Sequence, residues 1–119
     1  MSKDLQIYFN PNCSKCRSAL EIVGSEGTSF EVVLYLDHPL SRDQLEVIID
    51  NLYDPIPDLV RKDRKFSELG LDATDYRTRD SVIDLLLEHP ELMQRPLIQK
   101  KGKWSIARSQ EKVLEILRD

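Results

Sequence analysis

Two cysteines and two histidines in 119 residues offer little to a metal centre or a disulfide framework. Structural zinc takes about four ligands, and each histidine stands directly before a proline, as His38-Pro39 and His89-Pro90, without ligand spacing around it. No bound metal or cofactor is expected, and a chain of this length can bury a core without staples. Long apolar runs are also missing. Nothing approaches the roughly 20 residues of a membrane span, and the opening stretch MSKDLQIYFNPN has no leader-like apolar segment. A single cytoplasmic domain over residues 1–119, monomeric and without a membrane partner, is therefore expected. Positive charge is in deficit: a net charge of −4 argues against a broad nucleic-acid surface. The basic clusters at 61–65 and 100–103 read as solvated charge at turns and helix ends. Repeats and low-complexity tracts are absent.

What is present is a regular alternation of elements. Leu5 to Phe9, rich in Ile, Tyr and Phe, reads as a buried strand stopped by Asn10-Pro11. From Ser14 the apolar positions Cys16, Ala19, Leu20 and Val23 follow helical spacing and end near Gly24 and Gly27. Phe30 to Leu36 is β-branched and aromatic, a second strand closed by Asp37-His38-Pro39. Strand, helix, strand at this spacing is a βαβ unit with parallel strands. Ser41 to Tyr53 opens with the capping-box spacing Ser41-x-x-Gln44 and lines up Leu45, Ile48, Ile49 and Leu52. Short helical pieces are expected at Asp58–Lys62 and Phe66–Leu69, and a longer helix at Asp80–Glu88. Leu97–Lys100 and Trp104–Ala107 flank a hairpin turn at Lys101-Gly102, and Ser109 caps a last helix. The pattern predicts an α/β fold with a four-stranded mixed sheet, βαβ then ββα, and an all-helical insertion over about 41–90; taken with the spaced pair Cys13 and Cys16 at the start of the first helix, it points to a thioredoxin-like fold.

Both cysteines lie in NPNCSKCRSAL, two residues apart, at the mouth of the first helix. In a reducing compartment such a pair points to catalysis, redox chemistry or metal binding rather than to a structural bond. An ordinary thiol of pKa ~8.5 is only about 3% ionised at pH 7. Unpaired N–H groups in the first turn of a helix lower that value, which makes Cys13 the candidate nucleophile, with Lys15 and Arg17 close in sequence. Cys16, one turn on and facing the core, either resolves a bond formed on Cys13 or is a small apolar side chain.

IYFNPNCSKCR, YLDHPLSRDQL, LVRKD, FSELGL, HPELMQRPLI and ARSQEKVLEIL, taken in order, resemble successive blocks of the glutaredoxin-coupled arsenate reductase family. That family is a branch of the thioredoxin superfamily, to which the Spx-like transcriptional regulators also belong. The resemblance implies a catalytic cysteine at Cys13 and three oxyanion-holding arginines at Arg61, Arg95 and Arg108. It implies a cis proline, Pro96, facing the thiol. Planar guanidinium groups suit a tetrahedral oxyanion such as arsenate, and a helix N-terminus adds donors at the same place. Two positions depart from the family: Phe9 replaces a histidine common before Asn-Pro, and Cys16 replaces a serine common in dedicated reductases.

The resemblance thus implies a thiol-dependent oxidoreductase reducing arsenate to arsenite through the Cys13 thiolate. Glutathione would be its co-substrate and glutaredoxin or thioredoxin its reductant. Two other readings stay open: an Spx-like redox-switched regulator binding RNA polymerase, and a glutathione-dependent thiol oxidoreductase without arsenate activity.

Overall fold

The computed structural model describes residues 5–118; residues 1–4 and 119, the extremes of the expected domain, lie outside it. Strand β1 (Leu5–Tyr8) leads through a loop into helix α1 (Ser14–Ser25), which returns to strand β2 (Glu31–Val33). Helices α2 (Arg42–Asp50), α3 (Arg64–Glu68) and α4 (Arg79–Glu88) follow, interspersed with 3-10 turns at Ile56–Leu59, Ala73–Asp75 and Pro90–Leu92. The chain then re-enters the sheet as β3 (Leu97–Lys100) and β4 (Lys103–Ile106) and ends in α5 (Gln110–Arg118). The sheet order is β2-β1-β3-β4, with β1 parallel to β2 and antiparallel to β3, and β3 antiparallel to β4. This is the mixed, thioredoxin-like sheet that the pattern predicts.

Alternation along the strands divides the interior in two. Leu5, Ile7 and Ile98 face a core shared with Cys16, Ala19 and Val23 of α1 and Val113 and Ile116 of α5. Tyr8, Leu97 and Trp104 face the opposite core, filled by Leu45, Ile48 and Ile49 of α2 and Val82, Ile83, Leu85 and Leu86 of α4. Each face of the sheet removes the apolar stripes of two helices from water, which is the main stabilising term in such a fold.

Local chemistry explains most boundaries. Ser41 and Gln44 form the reciprocal capping box at the start of α2, and Thr78 with Ser81 does the same for α4. Lys101 and Gly102 take φ of 53° and 81°, the positive values that a two-residue type I′ hairpin requires, and Lys100 pairs with Lys103 across it. The segment after α2 runs along the outer edge of β4. There Trp104 N–H donates to the Asn51 carbonyl (3.0 Å), Tyr53 N–H to the Trp104 carbonyl (2.9 Å), and Ile106 N–H to the Asp54 carboxylate (2.8 Å).

Four expectations need correction. The helix expected over Ser41 to Tyr53 ends at Asp50, because Asn51 and Tyr53 bond the backbone of Trp104 and draw Leu52 out of the helix and onto β4. The second strand stops at Val33 rather than Leu36, because the Leu34 carbonyl accepts from the N–H groups of Asp37 and His38 and turns the chain. The first short helical piece sits at Ile56–Leu59 rather than Asp58–Lys62, since Asp58 N–H already bonds the Pro55 carbonyl. The next is α3 rather than Phe66–Leu69: the Asp63 carboxylate caps it through Phe66 N–H (3.2 Å) and starts the helix two residues earlier.

Candidate active site

The loop between β1 and α1 is shaped by Asn10, a buried polar residue. Its side-chain oxygen accepts from Asn12 N–H (3.0 Å) and its carbonyl from Cys13 N–H (3.0 Å), which folds the chain back just before the helix. Cys13 is thereby the N-cap residue of α1, with extended backbone and no side-chain cap bond, so its sulfur is left to the unpaired N–H groups of the first turn. Cys13 is 9% exposed and Cys16 fully buried; the two thiols are close but unbonded.

Burial pushes the Cys13 thiol up. The backbone N–H and the thiol of Cys16, the Arg95 guanidinium and the N–H of Lys15 together outweigh it, leaving the pKa lowered to about 7. Cys16 moves the other way, raised to about 12, chiefly by burial and also by the neighbouring Cys13, against the opposing effect of the Asn10 N–H. The pair therefore divides into a thiolate former and a retained thiol that donates to it. Of the two basic neighbours in sequence, Lys15 acts through its backbone, whereas Arg17 turns away to bond the Pro11 carbonyl (2.9 Å). Phe9 is buried in the apolar cluster that holds both thiols, and so adds to their desolvation rather than supplying a base.

Arg95 comes from the loop before β3, and its peptide bond to Pro96 is cis. Its Nη1 donates to the Glu91 carbonyl (3.0 Å), while its own carbonyl accepts from Arg108 Nη1 (2.6 Å), so the second arginine is joined to the first through the backbone. Arg61 lies on a neighbouring segment. An isolated Val60–Met93 bridge, with Arg61 N–H on the Leu92 carbonyl and Gln94 N–H on the Leu59 carbonyl (2.7 Å each), sets the two stretches side by side. The Arg61 side chain reaches Asp63 at 3.4 Å, and no hydrogen bond joins it to Cys13, Arg95 or Arg108 among the described residues. Arg61 Nη1 and Arg95 Nε are both buried without an acceptor. The structure thus gathers Cys13, Cys16 and Arg95, links Arg108 to them, and holds Arg61 one segment away. A groove of about 340 Å³ runs past Arg108, lined also by Asp58, Lys62 and Gln94. The larger cavity, about 490 Å³ among Tyr53, Lys101, Lys103 and Lys112, contains none of these site residues.

One participant is absent from the sequence reading. Tyr35, expected as a strand residue, is turned inward after β2 and buried, with its hydroxyl in the electrostatic range of Arg95, Cys16 and Cys13. In sequence a tyrosine in an apolar run reads as core, and nothing local marks its polar end.

The architecture is thus a thioredoxin-like sheet with a buried, acidified thiol at the N-terminus of its first helix, the Arg95 guanidinium beside that thiol and a cis bond from Arg95 to Pro96. The chain belongs to the ArsC family, which matches residues 8–116. It is 38% identical over 117 residues to an arsenate reductase of Escherichia coli, covering 98% of this chain and 82% of that protein. It is 37% identical over 122 residues to the uncharacterized protein YfgD of Escherichia coli strain K12, covering 98% and 99%. Among solved structures, an arsenate reductase from Vibrio cholerae superposes with a TM-score of 0.82 at 29% identity, covering 98% of this chain and 99% of that one.

Proposed function

We propose that this protein reduces arsenate with Cys13 as its nucleophile. The observation that carries the reading is the lowered thiol beside Arg95, together with a buried guanidinium nitrogen on Arg61 that lacks an acceptor. A buried charged donor without an acceptor is costly, and a tetrahedral oxyanion supplies several acceptors at once. Arg95, Arg108 and Arg61 hold the anion, and the first-turn N–H groups of α1 add to them.

The Cys13 thiolate attacks arsenic and forms an S–As bond, and one arsenate oxygen leaves as water after taking up protons. A second thiol, from glutathione or Cys16, then attacks the Cys13 sulfur. The S–As electron pair passes to arsenic, which leaves as arsenite, and a disulfide remains. Glutaredoxin or thioredoxin returns that disulfide to thiols. The proximity of Cys16 favours a second reading, in which the same pair exchanges disulfides with glutathione and arsenate has no part.

Arsenite release measured with glutathione and glutaredoxin separates the two. Turnover that falls at least about tenfold in Arg95→Ala and Arg108→Ala, as the loss of a charge-assisted hydrogen bond requires, supports arsenate reduction. Disulfide exchange without arsenite release, unaffected by those substitutions, assigns the thiol-exchange reading instead.

A further inference from the structure

Tyr35 heads the fully buried side chains by size, yet its hydroxyl has no hydrogen-bond partner among the described residues. Native interiors seldom leave such a group unserved. The guanidinium against which it lies, that of Arg95, has the complementary defect: Nη1 is bonded to the Glu91 carbonyl, while Nε is buried and unpartnered. An orphan acceptor and an orphan donor thus share one neighbourhood. Burial also raises the phenol to about 12, so it remains a neutral hydroxyl at working pH, with lone pairs to accept.

We propose that Tyr35 is a positioning residue: its oxygen accepts from the Arg95 guanidinium and fixes that group between the Glu91 carbonyl and the Cys13 sulfur. Arginine is useful at an anion site because its planar fork is held in one orientation. The backbone of Arg95 is already clasped by Arg108, so the side chain is what remains to be oriented. With Nη1 tied to Glu91 and Nε to Tyr35, the remaining N–H groups are directed at the thiolate and whatever anion approaches it. The groups facing the thiol are Cys16, the N–H groups of Lys15 and Cys16, and Arg95; those facing the phenol are Arg95, Cys16 and Cys13. The benefit to oxyanion binding rests on the function proposed above, whereas the effect on the Cys13 thiol does not.

The test follows alkylation of Cys13 against pH in wild type, Tyr35→Phe, Arg95→Lys and the double variant, each checked for a cooperative thermal transition. Tryptic cleavage after Lys15 puts the two cysteines on separate peptides, so each thiol is read by mass spectrometry on its own. Tyr35→Phe should shift the Cys13 midpoint to higher pH and weaken arsenate protection of the thiol by roughly three- to tenfold, the equivalent of one lost hydrogen bond. Adding Tyr35→Phe to Arg95→Lys, which has no Nε–H, should change nothing further. An unshifted midpoint in Tyr35→Phe overturns the proposal, as does an equal shift in both backgrounds. If Tyr35→Phe fails to fold, an Arg95→Lys profile identical to that of wild type overturns it. Should the protein leave arsenate unreduced while the midpoint moves as expected, the function fails and the positioning role stands.

Discussion

How far the Cys13 thiol is ionised at neutral pH depends on a contest between burial on one side and the donors of the first helical turn and Arg95 on the other, and the donors prevail. A group with a lowered pKa gains its charge early as pH rises. Alkylation of Cys13 should therefore reach half its maximal rate near pH 7 and fall about tenfold per unit below that. Cys16, with its thiol raised, should remain unlabelled across the same range until the protein unfolds. Cys13→Ser should abolish reduction and leave the thermal midpoint within a few degrees, because serine is a good N-cap residue and the position has no cap bond to lose. A folded variant with wild-type turnover would remove Cys13 from the mechanism. Peroxide treatment should take two hydrogens from the intact protein as the thiols join, and Cys16→Ser should end that change and make turnover depend on glutathione alone. Mass spectrometry reads the first outcome directly; thioredoxin as sole reductant reads the second. Identical behaviour of Cys16→Ser and wild type under every reductant would make Cys16 a core side chain and nothing more.

Among elements, the cap residues carry specific weight because α2 and α4 form the wall against which the second core packs. Ser41→Ala and Thr78→Ala each remove a side-chain acceptor from an N–H of the first turn, and each should lower stability by about 1 kcal/mol in denaturant melts. No change in either would mean that tertiary packing alone fixes these helix starts. The same elements show what was legible in the sequence. The Ser41 capping box, the helix after Cys13 and the Lys101-Gly102 turn are local, readable from a few adjacent residues, and they occur where expected. The end of β2 is not local. Leu34 and Tyr35 are apolar enough for a strand, but they leave the ladder to fill opposite cores, Leu34 beside α1 and Tyr35 beside α2 and α4. In the site, the acidified cysteine follows from its place at a helix mouth. The arginines became visible only through resemblance, since a guanidinium in sequence carries no sign of what its backbone carbonyl holds.

For the whole molecule, the helical segment between the two halves of the sheet is part of the core. Leu92, fully buried in it, also bonds the Arg61 N–H through its carbonyl at 2.7 Å. Leu92→Ala should destabilise the fold by about 2–5 kcal/mol and weaken anion protection of Cys13 through Arg61. Trp104 is the only tryptophan and sits between sheet and helices, so its fluorescence should report the same transition as far-UV circular dichroism. Separated transitions would mean that the helical segment unfolds by itself. The border of β4 also bears on how the protein behaves at high concentration. A foreign strand arriving there would find Trp104 and Ile106 already engaged by residues 51–54 and would have to peel that segment away. At the opposite border β2 is three residues long and presents the exposed Glu31. Fibre growth by strand addition is thus obstructed on both sides while the chain is folded, and Asp54→Ala would free the Ile106 amide while the backbone of Asn51 and Tyr53 still holds Trp104.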